Sequence, residues 1–326
     1  MHMKKLKVLL IFLITLFPSF VYAYSEYIIP GGESIGINIK TEGILIVGFY
    51  KIDGNLNKGT PILKSGDIII KVGDNYVNNE EDLVNAISKT MNNNEVKLLV
   101  RRGTETFYSD LNLIYSEGTY KTGLYIKDNI SGIGTLSYID PSTNLYGALG
   151  HEIVETNTNK RIEVKSGSIY ESVVTGIDRS VRGVIGAKNA KFIESNNYGD
   201  ILKNTIYGIY GNYKEDISSK EALKIKGIDE INKGEAYIYT VLDGNKKEKY
   251  RINITKLDKN SKEKNIYFEI DDERLLEEAG GIVQGMSGSP IIQGDNLIGV
   301  VTHVVISNPK SGYGIDIVSM LEEGEK

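Results

Sequence analysis

The run "GGIVQGMSGSPIIQGDNLIGVVTHV", residues 280–304, constrains the fold more than any other stretch of this chain. Four glycines and two serines fall within its first ten residues, and an apolar, strand-like segment follows. An ordinary hairpin turn needs only one or two residues with positive φ. The tighter cluster Gly285, Ser287, Gly288, Ser289 and Pro290 fits a backbone bent to expose one hydroxyl. Glycines beside it permit unusual φ/ψ angles and let another chain come close. A serine hydroxyl is a poor nucleophile until a base takes its proton, and backbone N–H groups must face the oxyanion that forms when it attacks. In this spacing the N–H groups of Gly285 and Ser287 can point into one pocket. Ser287 and Ser289 are therefore the serines whose hydroxyl such a bend could expose, and Gly285 and Ser287 are the candidate oxyanion donors.

The base has to be a histidine or, less often, a lysine. The chain has three histidines, His2, His151 and His303. His151 ends "YGALGH", where small neighbours leave it accessible. His303 lies sixteen residues after Ser287, at the far end of the following strand; the turn at "QGD" could return it near the nucleophile, but a structural role is the preferred reading. The acid that orients such an imidazole cannot be chosen by composition from 43 carboxylates. Asp271 and Asp272 stand just upstream of the nucleophile in "EIDDERLL", and on spacing alone Asp272 reads as a helix N-cap.

Composition removes several alternatives. The formal net charge is −5 with no basic stripe, which argues against a nucleic-acid partner. No cysteine is present, which excludes disulfides, thiolate catalysis and cysteine-ligated zinc. Three histidines make a multi-histidine metal site improbable, and no cofactor is expected. At the N-terminus Lys4, Lys5 and Lys7 precede an apolar run from Val8 to Phe17, and "FVYA" closes at Ala23. Residues 1–23 therefore read as a secretory signal peptide or a retained signal anchor, placing the rest outside the cytoplasm.

Residues 27–114 read as short strands with one helix, "EEDLVNAISKT", capped by Asn79, with Leu83, Val84, Ala86 and Ile87 on one face. From about 120 to 326 the chain is β-rich, with "KLDKNSKEKN" as a hairpin loop, a short helix in "DERLLEEAG" closing on Gly280, and another in "DIVSMLEE". Many short strands between Gly-rich turns predict a barrel or sandwich.

The stretches "SIGINI", "GILIVGF", "LKSGDIIIKVGDNYV" and "NEEDLVNAI" resemble a PDZ domain, which implies a peptide-binding groove with its loop at Ser34, Ile35 and Gly36. "GMSGSP" resembles the nucleophile loop of chymotrypsin-like proteases, which implies Ser287 in the nucleophile slot and Ser289 in the neighbouring small position, although Met286 replaces the acid that pairs with a new N-terminus in the digestive members. Together with "GIGTLSYIDP", "YGALGHEI", "GDILKNTIYGIYG" and "SGYGIDIVSML", the whole order resembles the SpoIVB peptidase family of endospore-forming bacteria. The fold implied is mainly β, an N-terminal PDZ domain followed by a chymotrypsin-like β-barrel serine protease domain. The resemblance assigns His151, Asp272 and Ser287 as the triad, with Asp271 the fallback acid. It also implies a secreted signalling endopeptidase that cuts itself and a membrane-bound regulator of an intramembrane protease, so releasing pro-sigma-K processing. A peptide or a segment of the same chain would sit in the PDZ groove. The competing expectations are a quality-control protease with a PDZ domain and a silent peptide-binding scaffold.

Overall fold

The computed structural model describes residues 24–57 and 60–326. The signal-like segment 1–23 lies outside the described residues. The long strand β1 (Ser34–Phe49) opens the main architecture. A small unit follows, with strands β2 (Ile68–Val72), β3 (Glu95–Arg102) and β4 (Glu105–Asn112) and helix α1 (Glu80–Thr90). Its core contains Ile44, Ile46, Ile69, Leu83, Val100 and Leu111. Asn79 caps α1, its side chain accepting the N–H of Asp82 at 2.8 Å. Leu83 and Ala86 are buried as the helical spacing predicts, whereas Val84, read onto the same face, is 55% exposed.

The strand β5 (Leu124–Ile139) leads back out of this unit. It is followed by β6 (Leu145–Ala148), β7 (Ser166–Asp178), β8 (Ala187–Asp200) and β9 (Gly208–Asn212). Strand pairing runs β1–β5–β6–β9 on one side and β1–β7–β8 on the other. A bridge between Gly199 and Tyr213, beside β9, closes the ring. Ile35, Ile37, Leu136, Ala148, Ile169 and Ile209 fill this first barrel. The second barrel comprises β10 (Gly234–Val241), β11 (Lys247–Leu257), β12 (Ile266–Ile270), β13 (Pro290–Gln293), β14 (Asn296–Val304) and β15 (Ser311–Asp316). It closes through β10–β11–β12–β15–β14–β13–β10. Alternating residues such as Ile252 and Ile254 point inward from β11, while Arg251 and Asn253 do not. The short helix α2 (Glu273–Ala279) precedes the nucleophile loop and ends at Gly280 in the left-handed region.

The C-terminal helix α3 (Ile317–Glu325) is capped by Asp316, which accepts the N–H of Ser319 at 3.0 Å. It joins the barrels: Ile317, Met320 and Leu321 share one buried cluster with Tyr138 and Tyr210 of the first barrel and Leu297 and Val300 of the second. The chain is mainly β, and the two rings form the chymotrypsin-like β-barrel body expected from the sequence. Among the described residues no helix is long and apolar enough to cross a membrane.

One boundary differs from the sequence reading. The small unit was expected to start at residue 27, but Ile35–Lys40 belong to the first barrel. On one side they pair with Gly134–Asn129 and on the other with Glu171–Ser166. Ser34 is buried, and Gly36 faces the ring of Phe192 with no room for a Cβ. Ile35 and Gly36, where the resemblance places a peptide-binding loop, thus have both backbone edges paired, and Ser34 is paired on one side with Thr135.

Candidate active site

The nucleophile loop is shaped by its glycines. Gly285 and Gly288 have φ of +94° and +95°, conformations costly for any residue with a Cβ. Four N–H groups tie the loop down: Gln284 donates to Gly186, Met286 to Val283, Gly288 to Val301 and Ser289 to Met286. The N–H groups of Gly285 and Ser287, between them, have no acceptor among the described residues. Met286 is fully buried in the second barrel's core, so its thioether serves packing.

Barrel one grips the loop from the other side through Thr135, a residue that no local pattern marks. Its hydroxyl donates to the carbonyl of Gly285 at 2.7 Å, and its N–H donates to the carbonyl of Ser287 at 3.0 Å. The N–H of Leu149, two residues before His151, in turn donates to Thr135. Thr135 thus ties the candidate nucleophile to the segment that carries the candidate base.

His151 and Ser287 line one cleft of about 500 Å³, together with Gly285 and His303. Most of its remaining wall is aliphatic, including Ile133, Leu149, Ile153, Val283, Val304 and Ile306. Ser287 Oγ donates to the carbonyl of Thr302 at 2.9 Å, so the hydroxyl is not hydrogen-bonded to His151 here. His151 Nδ1 lies 2.8 Å from the carbonyl of Glu152. That contact favours the tautomer with the proton on Nδ1 and leaves Nε2 as the basic atom. Asn204 fixes the chain just beyond: its amide donates to the carbonyls of Ile153 and Ile162 at 2.8 Å each, and its oxygen accepts the N–H of Ile153 at 2.9 Å.

His303, read from sequence as structural, packs against the base. The two rings are 5.1 Å apart at their centroids and inclined by 45°. Nδ1 of His303 is buried and has no hydrogen-bond partner among the described residues. Burial pushes His303 down to about 4, with His151 and Lys264 adding to the effect. Burial also lowers His151 below its ordinary 6.5, against the supporting effect of the Glu152 carbonyl. Both rings are therefore neutral at pH 7. Peptide hydrolysis should rise with pH along an acid limb centred below 6.5 and be flat at neutral pH. In the same acid range the unfolded chain binds protons that the folded chain does not, so stability also falls as pH drops from 6.5 toward 4. A pH–rate profile centred above 7 would contradict the buried, neutral base.

The structure does not bring the expected acid to this cleft. Asp272 is the N-cap of α2, where it accepts the N–H groups of Arg274 at 3.1 Å and Leu275 at 3.4 Å. It also accepts the N–H of Arg251 at 3.2 Å and lies 3.3 Å from the Arg274 guanidinium. Burial opposes ionisation, but the Arg251, Arg274 and Leu275 contacts hold the carboxyl below its ordinary range. Asp271 is bound instead by Arg251 Nε at 3.1 Å. Neither aspartate lines the cleft, and neither has a bond to His151. The helix start explains this: a carboxylate that satisfies three N–H groups is held at the cap.

A second unanticipated residue lies behind the oxyanion side. Lys188 runs its aliphatic stem alongside Gly285 and places its Nζ 2.8 Å from Thr240 Oγ1, with no carboxylate partner among the described residues. Burial lowers it from 10.5 to about 7. Between those values the unfolded chain holds a proton that the folded chain has lost, so stability rises with pH through that window. Lys188→Met should raise stability at pH 7 by roughly 1–4 kcal/mol, and the gain should shrink toward pH 10. Urea unfolding at both pH values checks this, and an absence of gain at pH 7 would contradict it.

The profile described as "SpoIVB peptidase S55" matches residues 118–321. No curated protein matches. Among solved structures, the Rv3671c protease from M. tuberculosis in its active form is similar at 13% identity, with a TM-score of 0.34 over 60% of this chain and 74% of that one. The HtrA-type protease AlgW with a decapeptide is similar at 12% identity, with a TM-score of 0.34 over 61% of this chain and 52% of that one.

Proposed function

We propose, for a chain that belongs to the SpoIVB peptidase S55 family and is a serine peptidase, that it is a sporulation signalling endopeptidase. One observation carries the chemistry: Ser287 and His151 share a cleft with two N–H groups, those of Gly285 and Ser287, that have no acceptor. In the proposed mechanism the Ser287 hydroxyl leaves the Thr302 carbonyl and turns toward Nε2 of His151. Nε2 takes the proton as Oγ attacks the scissile carbonyl. The N–H groups of Gly285 and Ser287 receive the oxyanion, and the imidazolium then protonates the leaving amine. Water resolves the acyl-enzyme by the reverse route. The Glu152 carbonyl keeps the Nδ1 proton in place. Asp272, the acid assigned by the resemblance, acts through the helix it caps, which ends where the nucleophile loop begins.

The proposed biology is that of the family. After export from the forespore into the space between the two surrounding membranes, the enzyme cuts itself and then a membrane-bound regulator of an intramembrane protease. That cut releases processing of pro-sigma-K. An endospore-former lacking its own enzyme provides the test. Expression of this chain should restore pro-sigma-K processing and heat-resistant spores, and the Ser287→Ala chain should restore neither. Restoration by both would reduce the chain's role to a scaffold, and restoration by neither would remove it from this pathway.

A further inference from the structure

Two turns beside the cleft of His151 and Ser287 hold aliphatic side chains out in water. The first, Val181–Val184, lies between β7 and β8. Val181 and Val184 exchange both backbone hydrogen bonds at 2.9 Å, and Gly183 at the corner has φ of +87°. Ser180 roots this turn: its N–H donates to the carbonyl of Ala279, and its hydroxyl donates to the carbonyl of Ile282 and accepts the N–H of Gly186. The second turn, residues 305–310, joins β14 to β15. The N–H of Gly183 donates to the Ile306 carbonyl at 2.9 Å, so the two turns are fastened to each other.

On this base Val181, Val184 and Ile306 are 58%, 62% and 60% exposed. A Cβ placed on Gly183 would meet nothing within 4 Å, so the tip projects freely. Singly exposed aliphatics are ordinary, but three on one projection mark a contact surface. A tip already held by backbone bonds also loses little freedom on docking.

Charge selects the partner. Residues 178–184 and 305–310 carry Arg179, Arg182 and Lys310 against one carboxylate, Asp178, in a chain whose net charge is −5. Arg179 turns back to the carbonyl of Leu276 at 3.1 Å. Arg182 and Lys310 are exposed, flank Val181, and make no ion pair or side-chain hydrogen bond among the described residues. Projecting aliphatics beside free cations match an anionic lipid surface: the apolar tips enter the acyl boundary while the cations stay among the headgroups. A projection also needs a partner that yields around it, as a fluid interface does and a close-packed protein surface does not.

We infer that these two turns dock the protein on a bilayer containing anionic lipid, with the mouth of the cleft turned toward the membrane. Ile306 belongs to both the tip and the cleft wall, so docking sets the cleft against the headgroups. Substrates tethered to the same membrane then gain in effective concentration over free ones. That preference rests on the peptidase reading above, and the docking itself does not.

The chain has no tryptophan, so a single introduced one reports its own surroundings, whatever else holds the chain to a vesicle. The test places Val184→Trp in the full-length Ser287→Ala protein, with Tyr120→Trp in the small hairpin Ile114–Lys121 as the control position. Vesicles are phosphatidylcholine alone or mixed with phosphatidylglycerol, each with brominated acyl chains as quencher. Val184→Trp should be quenched and shift to shorter wavelength on the mixed vesicles, and Tyr120→Trp should do neither. Adding Arg182→Gln and Lys310→Gln should lower the ratio of quenched to unquenched tip roughly 25-fold, about fivefold for each cation. Raising the salt to about 1 M should also release the tip, and Val181→Ser should weaken its insertion. An unquenched Val184→Trp would leave the patch to a protein partner and overturn the docking, as would equal quenching at the control position or on vesicles without phosphatidylglycerol. None of these failures touches the peptidase reading, which a fluorophosphonate adduct on Ser287 in the unsubstituted protein tests separately.

Discussion

Replacing Ser287 by alanine should lower peptide hydrolysis by ~10⁶-fold, the scale of losing a nucleophile that works as a unit with its base, while leaving the protein folded. The expectation of folding comes from the contacts. The hydroxyl makes one hydrogen bond, to the carbonyl of Thr302, and its loss costs about 1 kcal/mol. The carbonyl of Ser287, which accepts the N–H of Thr135, is kept. The two oxyanion donors are also kept, so a residual rate above that in water should survive. Circular dichroism and urea unfolding, read beside cleavage of a fluorogenic peptide, separate lost chemistry from lost structure. A variant that hydrolyses peptide at the normal rate would show that another group is the nucleophile.

The second large effect is expected at Gly288. Its φ is +95°, and a Cβ would lie 2.2 Å from the carbonyl oxygen of Thr135 and 2.6 Å from the backbone nitrogen of Leu149. Both are main-chain atoms of the first barrel, so neither can swing aside. Gly288→Ala must push the nucleophile loop away from Thr135 or force the barrels apart. Either movement loosens the bonds that Thr135 donates to the carbonyls of Gly285 and Ser287. We expect a stability loss of roughly 2–4 kcal/mol and, because a displacement near 1 Å at such a site costs about 10²-fold, at least that loss in kcat/KM. Equilibrium unfolding and kinetics on the same preparation measure both. A Gly288→Ala protein as stable and active as the original would mean that the loop does not pack against Thr135 as described.

The features legible in the sequence were those with a local cause. Glycines that need positive φ, a serine between them, and a histidine behind "GALG" pointed to Gly285, Ser287 and His151, and the cleft contains all three. Caps were equally local: Asn79 and Asp272 stand where their side chains meet the first free N–H groups of a helix. The same locality explains the misreadings. Ser34–Phe49 is one strand of sixteen residues serving two cores, and an alternating pattern does not say which partner each half will meet, so the small unit was extended back to residue 27. Thr135 acts across 150 positions of sequence, and Lys188 across 52. No neighbour in the chain marks either. The turn at "QGD" allowed His303 to return near the nucleophile, and it lines the cleft, but no neighbour in the chain marks the ring of His151 that it faces.

The central claim is that the fold makes one hydroxyl reactive by placing His151 and two free N–H groups around it. Reaction with a fluorophosphonate probe, followed by peptide mass mapping, tests this most directly. The adduct should form on Ser287 alone among the serines, and the rate should collapse in His151→Ala while persisting in Asp271→Asn. Labelling that is absent, spread over many serines, or equally fast without the His151 imidazole would contradict it.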